Sequence, residues 1–251
     1  MSDASSSQPE HSPAQWGPAA GILLSFFGFF VVQILAVLVV SLGIRLFMPG
    51  AGQGALEKPG MQLLFVALSY GSILLALWWF LRRRGASFVQ LGFSRRVRWG
   101  DAGNALVGYS LYFGLLILAF ILLGVFTNID LDQKQELGFD TVVTLPEKLM
   151  AFVSLVVLPP IAEEILFRGF LFTGLRSKLR FLPAVLTTSF VFGALHLLGA
   201  SSGLLWVAGV DTFILSLILC YLRERTGALW APIMVHTFKN FVAFLLFAKI
   251  I

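Results

Sequence analysis

Charge is scarce in this chain. Of its 251 residues only 12% are Asp, Glu, Lys or Arg, where a soluble domain carries about 25%. So little charge does not keep a domain of this length in water, and the soluble globular class is excluded. Cysteine is nearly absent too. Cys220 is the single one, so no internal disulfide can form and thiol redox chemistry lacks a pair. There is no HExxH sequence, and no alternation over ~10 residues of the kind that builds barrel strands. The basic residues make no stripe interleaved with exposed aromatics, which argues against a nucleic-acid partner. The opening "MSDASSSQPEHSPAQWGP" contains no Lys or Arg and so lacks the basic start of a cleaved signal peptide.

What the chain has is apolar length. Hydrophobic residues make up 58% of it, 25 of them Phe. Several runs reach the roughly 20 residues that a helix needs to cross a bilayer. The pattern predicts an all-α polytopic membrane protein with about seven spans, six to eight being the range. They fall near 18–47, 61–81, 102–126, 147–172, 182–199, 203–222 and 228–248. Residues 1–16 are expected to form a disordered tail, and 17–251 a single transmembrane domain embedded in lipid. The loops fit seven spans. Arg82, Arg83, Arg84, Arg95, Arg96 and Arg98 follow span two, Arg176, Lys178 and Arg180 span four, and Arg223 and Arg225 span six. Basic loops face the cytoplasm. The expectation is therefore a multi-pass protein, in the cell membrane if bacterial, with its N-terminus cytoplasmic. The net charge of +5 is a topology signal. Oligomeric state is not legible.

Ionisable residues inside spans are functional candidates by default. Here they are Glu163, Glu164, Arg168, His196, Asp211, His236 and Lys239, with the amide of Asn240 added. Most fall in the last four spans, so spans one to three look like scaffold. Within "LPPIAEEILFRGFLF", Pro159 and Pro160 either kink span four or begin a new helical segment. In the second case the two glutamates sit in a first turn, where the helix dipole favours anions. Glu164 and Arg168 stand i,i+4, acid first, the favourable order for a pair. Glu163 points about 100° away, so the two acids can take different roles. A buried salt-bridge cluster that only locks helices is the competing reading. In "FVFGALHLL", Phe192 and His196 share a helix face, and Gly193 permits close helix approach. Counted outward from Arg180, Glu163 and His196 reach similar depth. In "WAPIMVHTFKNFV", His236 and Asn240 are again i,i+4. The amide can set the tautomer of the imidazole, supply a second donor, or simply glue helices. Asp211 and Lys239 are expected at similar depth on adjacent helices, and an unpaired charge there is costly, so they should pair.

These residues carry a resemblance. "EEILFR" (Glu163–Arg168), "FGALH" (Phe192–His196) and "HTFKN" (His236–Asn240) resemble the EExxxR, FxxxH and HxxxN/D motifs of the CAAX-protease and bacteriocin-processing (CPBP, or ABI) family of intramembrane proteases. The likeness covers about residues 145–248. It implies a glutamate-dependent endopeptidase whose active site lies inside the bundle and whose substrate is a membrane-associated peptide or protein. By that resemblance Glu163 and His196 activate water, His236 and Asn240 stabilise the oxyanion, and Glu164, Arg168 and Phe192 support them. No cofactor is required on this reading. A zinc enzyme with Glu163, His196 and His236 as ligands stays open, as does a non-enzymatic scaffold, immunity factor or transporter.

Overall fold

The computed structural model describes residues 15–127, 129–131, 133, 142–197 and 203–247. Among them the regular structure is helical, in seven main helices: α1 Pro18–Phe47, α2 Pro59–Arg83, α3 Trp99–Phe126, α4 Leu145–Arg176, α5 Phe181–His196, α6 Trp206–Thr226 and α7 Trp230–Phe247. Five of these, α1 to α4 and α6, are long and apolar enough to cross a membrane. The all-α polytopic expectation is met, and the chain is an integral multi-pass membrane protein.

The two short helices matter for the site. The 16 residues of α5 cover about 24 Å at roughly 1.5 Å per residue, less than a hydrocarbon core of about 30 Å. This helix ends on His196, so its last residue lies within the thickness of the bundle.

Burial separates scaffold from centre. Only 11% of the most apolar window of α1 and of α3 is buried, against 50% for α4 and α6. The outer helices therefore offer their side chains to lipid, while α4 runs through the middle. One core joins Ile73 of α2, Phe167 and Leu171 of α4, Phe192 of α5 and Cys220 of α6. A second joins Tyr112 of α3, Leu215 and Leu219 of α6 and Val235 of α7. Between α5 and α6 a Cβ at Gly193 would lie 2.9 Å from the carbonyl oxygen of Gly209. The close approach expected of Gly193 is present.

The double proline neither breaks α4 nor starts a new helix. A π-helical stretch, Val153–Val157, precedes it and a second, Glu164–Phe172, follows. The glutamates consequently sit mid-helix, and the first-turn alternative is corrected. The N–H of Leu158 bonds to the carbonyl of Val153, five residues back. Such widened turns let the chain continue past residues that cannot donate.

The ends that carry basic residues gather at one end of the bundle. Arg176, closing α4, pairs with Glu224 near the end of α6 at 2.7 Å. Past α2 the chain folds back under the bundle. The carbonyl of Gly92 accepts from the N–H of Leu229 at 3.2 Å, and Arg95 pairs with Asp101 at 2.6 Å. Trp16, assigned to the tail in the sequence reading, is buried. Its indole N–H donates to the carbonyl of Phe170 at 2.9 Å, and the two rings stack 5.0 Å apart. Residues 1–14 of that tail lie outside the described residues.

Candidate active site

The second π-helical stretch of α4 carries Glu164 and Arg168, both fully buried. Arg168 donates through Nη1 to Oε1 of Glu164 at 2.8 Å, the i,i+4 pair read from the sequence. Its guanidinium also lies over the ring of Phe192, 4.5 Å from the centroid, a cation–π contact strengthened by the absence of water. So Phe192, whose place in the motif is an aromatic at a fixed distance from His196, seats the cation.

The same Oε1 of Glu164 accepts from a second donor. Nδ1 of His236, on α7, lies 2.8 Å away. A carboxylate oxygen already accepting from arginine can only accept, so Nδ1 carries the proton and Nε2 is left facing the site. That nitrogen stands 3.8 Å from Oε2 of Glu163. Glu163 is itself buried, and its other oxygen, Oε1, accepts from the hydroxyl of Tyr70 at 2.5 Å. The two adjacent acids are therefore held unequally. Glu164 receives a guanidinium and an imidazole, both at Oε1, and Glu163 receives a single phenol at its own Oε1.

His196 joins through its ring and its backbone tie. It packs on Phe192 with centroids 4.6 Å apart, and Nδ1 donates to the Phe192 carbonyl at 2.8 Å. Among the described residues Nε2 has no hydrogen-bond partner. Glu163 acts on His196 electrostatically, but among the described residues no hydrogen bond links them.

For Asn240 the structure shows the helix tie, one of the three roles that the sequence allows. Glu164, not Asn240, sets the tautomer of His236. The Asn240 amide donates instead to the carbonyl of Leu155 at 2.9 Å. The reason lies in the double proline. In an α turn the donor to Leu155 would be residue 159, and in a π turn residue 160, and both are prolines without an N–H. Asn240 satisfies the carbonyl that they orphan, and so ties α7 to α4.

Two groups on the presumed scaffold take part, which corrects its reading as apolar support. Tyr70 of α2 holds Glu163. Tyr112 of α3 donates to Oδ1 of Asp211 at 2.5 Å, while Oδ2 of Asp211 pairs with Lys239 at 2.8 Å. The expected Asp211–Lys239 pair exists, with a phenol added. The polar run "SYGS" around Tyr70 is the signal that could have pointed to α2.

Zinc is the remaining alternative at this site. Among the described residues no three His, Cys, Asp or Glu side chains gather as a metal-ligand group. As placed, Glu163, His196 and His236 do not fit a metal ion, and no step below is routed through one.

A helical bundle that buries two carboxylates, a guanidinium and an imidazole, with a second imidazole half-buried beside Phe192, defines a membrane protein with a polar, chemically equipped centre. Residues 145–242 match the family model described as type II CAAX prenyl endopeptidase Rce1-like, so this segment is similar to that family. Over 92 residues, 37% of the chain, it is 38% identical to the Bacillus subtilis (strain 168) protein named "Putative membrane peptidase YdiL", of which the match covers 34%. Over 95 residues, again 37% of the chain, it is 30% identical to an "Uncharacterized 24.3 kDa protein" of Escherichia coli, of which 42% is covered. The chain thus spans between a third and a half of the length of the curated relatives it matches. No solved structure gives a significant match.

Proposed function

We propose that this protein is an intramembrane endopeptidase that hydrolyses a peptide bond of a membrane-associated substrate, with Glu163 as the base that activates water. The observation that carries the reading is the unequal holding of the adjacent glutamates. Glu164 is occupied by Arg168 and His236, whereas Glu163 keeps Oε2 near Nε2 of His236, 3.8 Å away. That distance is too long for a hydrogen bond, and a water seated beside the two atoms reaches both.

The oxyanion role that the motif resemblance gives His236 falls to Nε2 in its protonated form, since Glu164 already receives the opposite nitrogen. In the reaction Glu163 takes a proton from water while the water oxygen bonds to the scissile carbonyl carbon. The carbonyl π electrons move onto oxygen, and Nε2–H of the imidazolium donates to that oxyanion. The carbonyl then re-forms, the C–N bond breaks, and the proton held by Glu163 passes to the leaving amine. His196 orients the water through its free Nε2. The second N–H of Asn240 is the further donor that the motif resemblance assigns to the oxyanion.

The name of the matched family makes the C-terminal segment of a lipid-anchored protein the substrate class to test first. The basic residues that follow α2, α4 and α6 support a cytoplasmic N-terminus on the positive-inside rule. Comparative proteomics of membranes from cells carrying wild type or Glu163→Ala tests the proposal. Membrane-associated proteins should accumulate uncut in the variant, with loss of their matching fragments. Identical fragment populations in the two strains would overturn it.

A further inference from the structure

Tyr70 lies on α2, outside the matched segment 145–242, and 93 positions from Glu163 in sequence. The 2.5 Å separation of its hydroxyl from Oε1 of Glu163 is at the short end for an O–H···O⁻ bond. The ring is fixed by packing on the core of Ile73, Phe167 and Phe192, so the hydroxyl arrives from a rigid element. Its neighbour Ser69 is buried with no hydrogen-bond partner, which leaves Tyr70 as the group of α2 that meets the carboxylate. Among the described residues Glu163 accepts no other hydrogen bond.

We infer that Tyr70 is a positioning residue of the proposed hydrolysis: by holding Oε1 of Glu163, its hydroxyl turns Oε2 toward His236 and the reacting water. This rests on the reading of Glu163 as the base. A carboxylate on a flexible stem has a broad, roughly two-fold final torsion. Without an anchor, the oxygen that takes the proton is not kept in one place. A general base must lie within hydrogen-bond reach of the proton it removes, and a displacement of about 1 Å can cost roughly 100-fold in rate. The competing role is interhelical glue between α2 and α4. Glue predicts lost stability with turnover per folded molecule unchanged.

The test uses the full chain in liposomes, with a quenched fluorescent peptide built on a cleavage sequence recovered from the Glu163→Ala comparison. Tyr70→Phe keeps the ring and removes only the hydroxyl. The expected result is a kcat lower by about 100-fold with KM and melting temperature unchanged. The infrared carboxylate band of Glu163, assigned by its loss in Glu163→Gln, should shift in the same variant. Should Tyr70→Phe not fold, 3-fluorotyrosine at position 70 keeps ring and hydroxyl and should still shift that band. An unmoved band and unchanged kcat, with Glu163→Gln inactive, would overturn this inference alone. Cleavage by Glu163→Gln at the wild-type rate would remove the base assignment and the inference with it.

Discussion

Nδ1 of His236 lies 2.8 Å from Oε1 of Glu164, and this contact between α7 and α4 decides which nitrogen faces the site. It also explains why the motif carries two glutamates where chemistry needs one base. The second orients the histidine and is itself balanced by Arg168.

The two acids should therefore fail differently. Glu163→Gln is isosteric and uncharged, and should leave folding nearly intact. Glu164→Gln leaves the fully buried Arg168 without a counter-charge, which costs about 3–5 kcal/mol in buried pairs. Denaturant unfolding of the two variants in detergent micelles checks this. Equal stabilities would contradict the division of roles.

Asn240→Ala should be destabilised by about 1 kcal/mol, the low end of the cost of leaving a carbonyl unpaired, since the Leu155 carbonyl is part-buried. Combining it with Pro159→Ala restores a backbone N–H four residues after Leu155, and so should recover part of the loss. A double-mutant cycle on unfolding free energies measures the coupling. Simple additivity would mean that Leu155 is not what Asn240 serves.

The pair of Asp211 and Lys239 is expected to be structural. Asp211→Leu alone leaves a lysine unpaired at mid-bilayer, a cost of at least about 2.5 kcal/mol. Asp211→Leu with Lys239→Met removes both charges and should be the more stable of the two, with cleavage retained. Thermal unfolding and a cleavage assay on both variants decide it; loss of cleavage in a folded double variant would bring the pair into the chemistry.

Metal dependence has its own outcome. If Glu163 acts as the base without zinc, exhaustive chelation of the purified protein should leave its cleavage rate unchanged, and metal analysis should find no stoichiometric zinc. Activity that vanishes with a tight chelator and returns with zinc would favour the ligand set Glu163, His196 and His236.

Hydropathy made the seven helices legible, five of them long enough to span, because the bilayer imposes a length that composition reveals directly. The buried charges were legible for a related reason: a charge in hydrocarbon needs a cause, and the spacing of Glu164 and Arg168 named its own partner. Tyr70 and Tyr112 were not. A phenol is neutral and amphipathic, so an apolar helix tolerates it without advertising a partner. The path of α4 was hidden as well, since Pro159 and Pro160 read as a break, and only the π-helical turns on either side carry the helix through. The service of Asn240 to Leu155 spans 85 positions and arises from a carbonyl, which no side-chain pattern displays. Trp16 looked like tail because it follows a polar stretch; its burial depends on Gly174, where a Cβ would lie 2.8 Å from the indole.

The central claim is that Glu163 activates the water, and the cleavage rate of purified Glu163→Gln in liposomes, at a melting temperature equal to wild type, tests it most directly. The account predicts a loss of about 100- to 10,000-fold, the range for removing a general base. A folded Glu163→Gln protein that cleaves within a few-fold of the wild-type rate would contradict it.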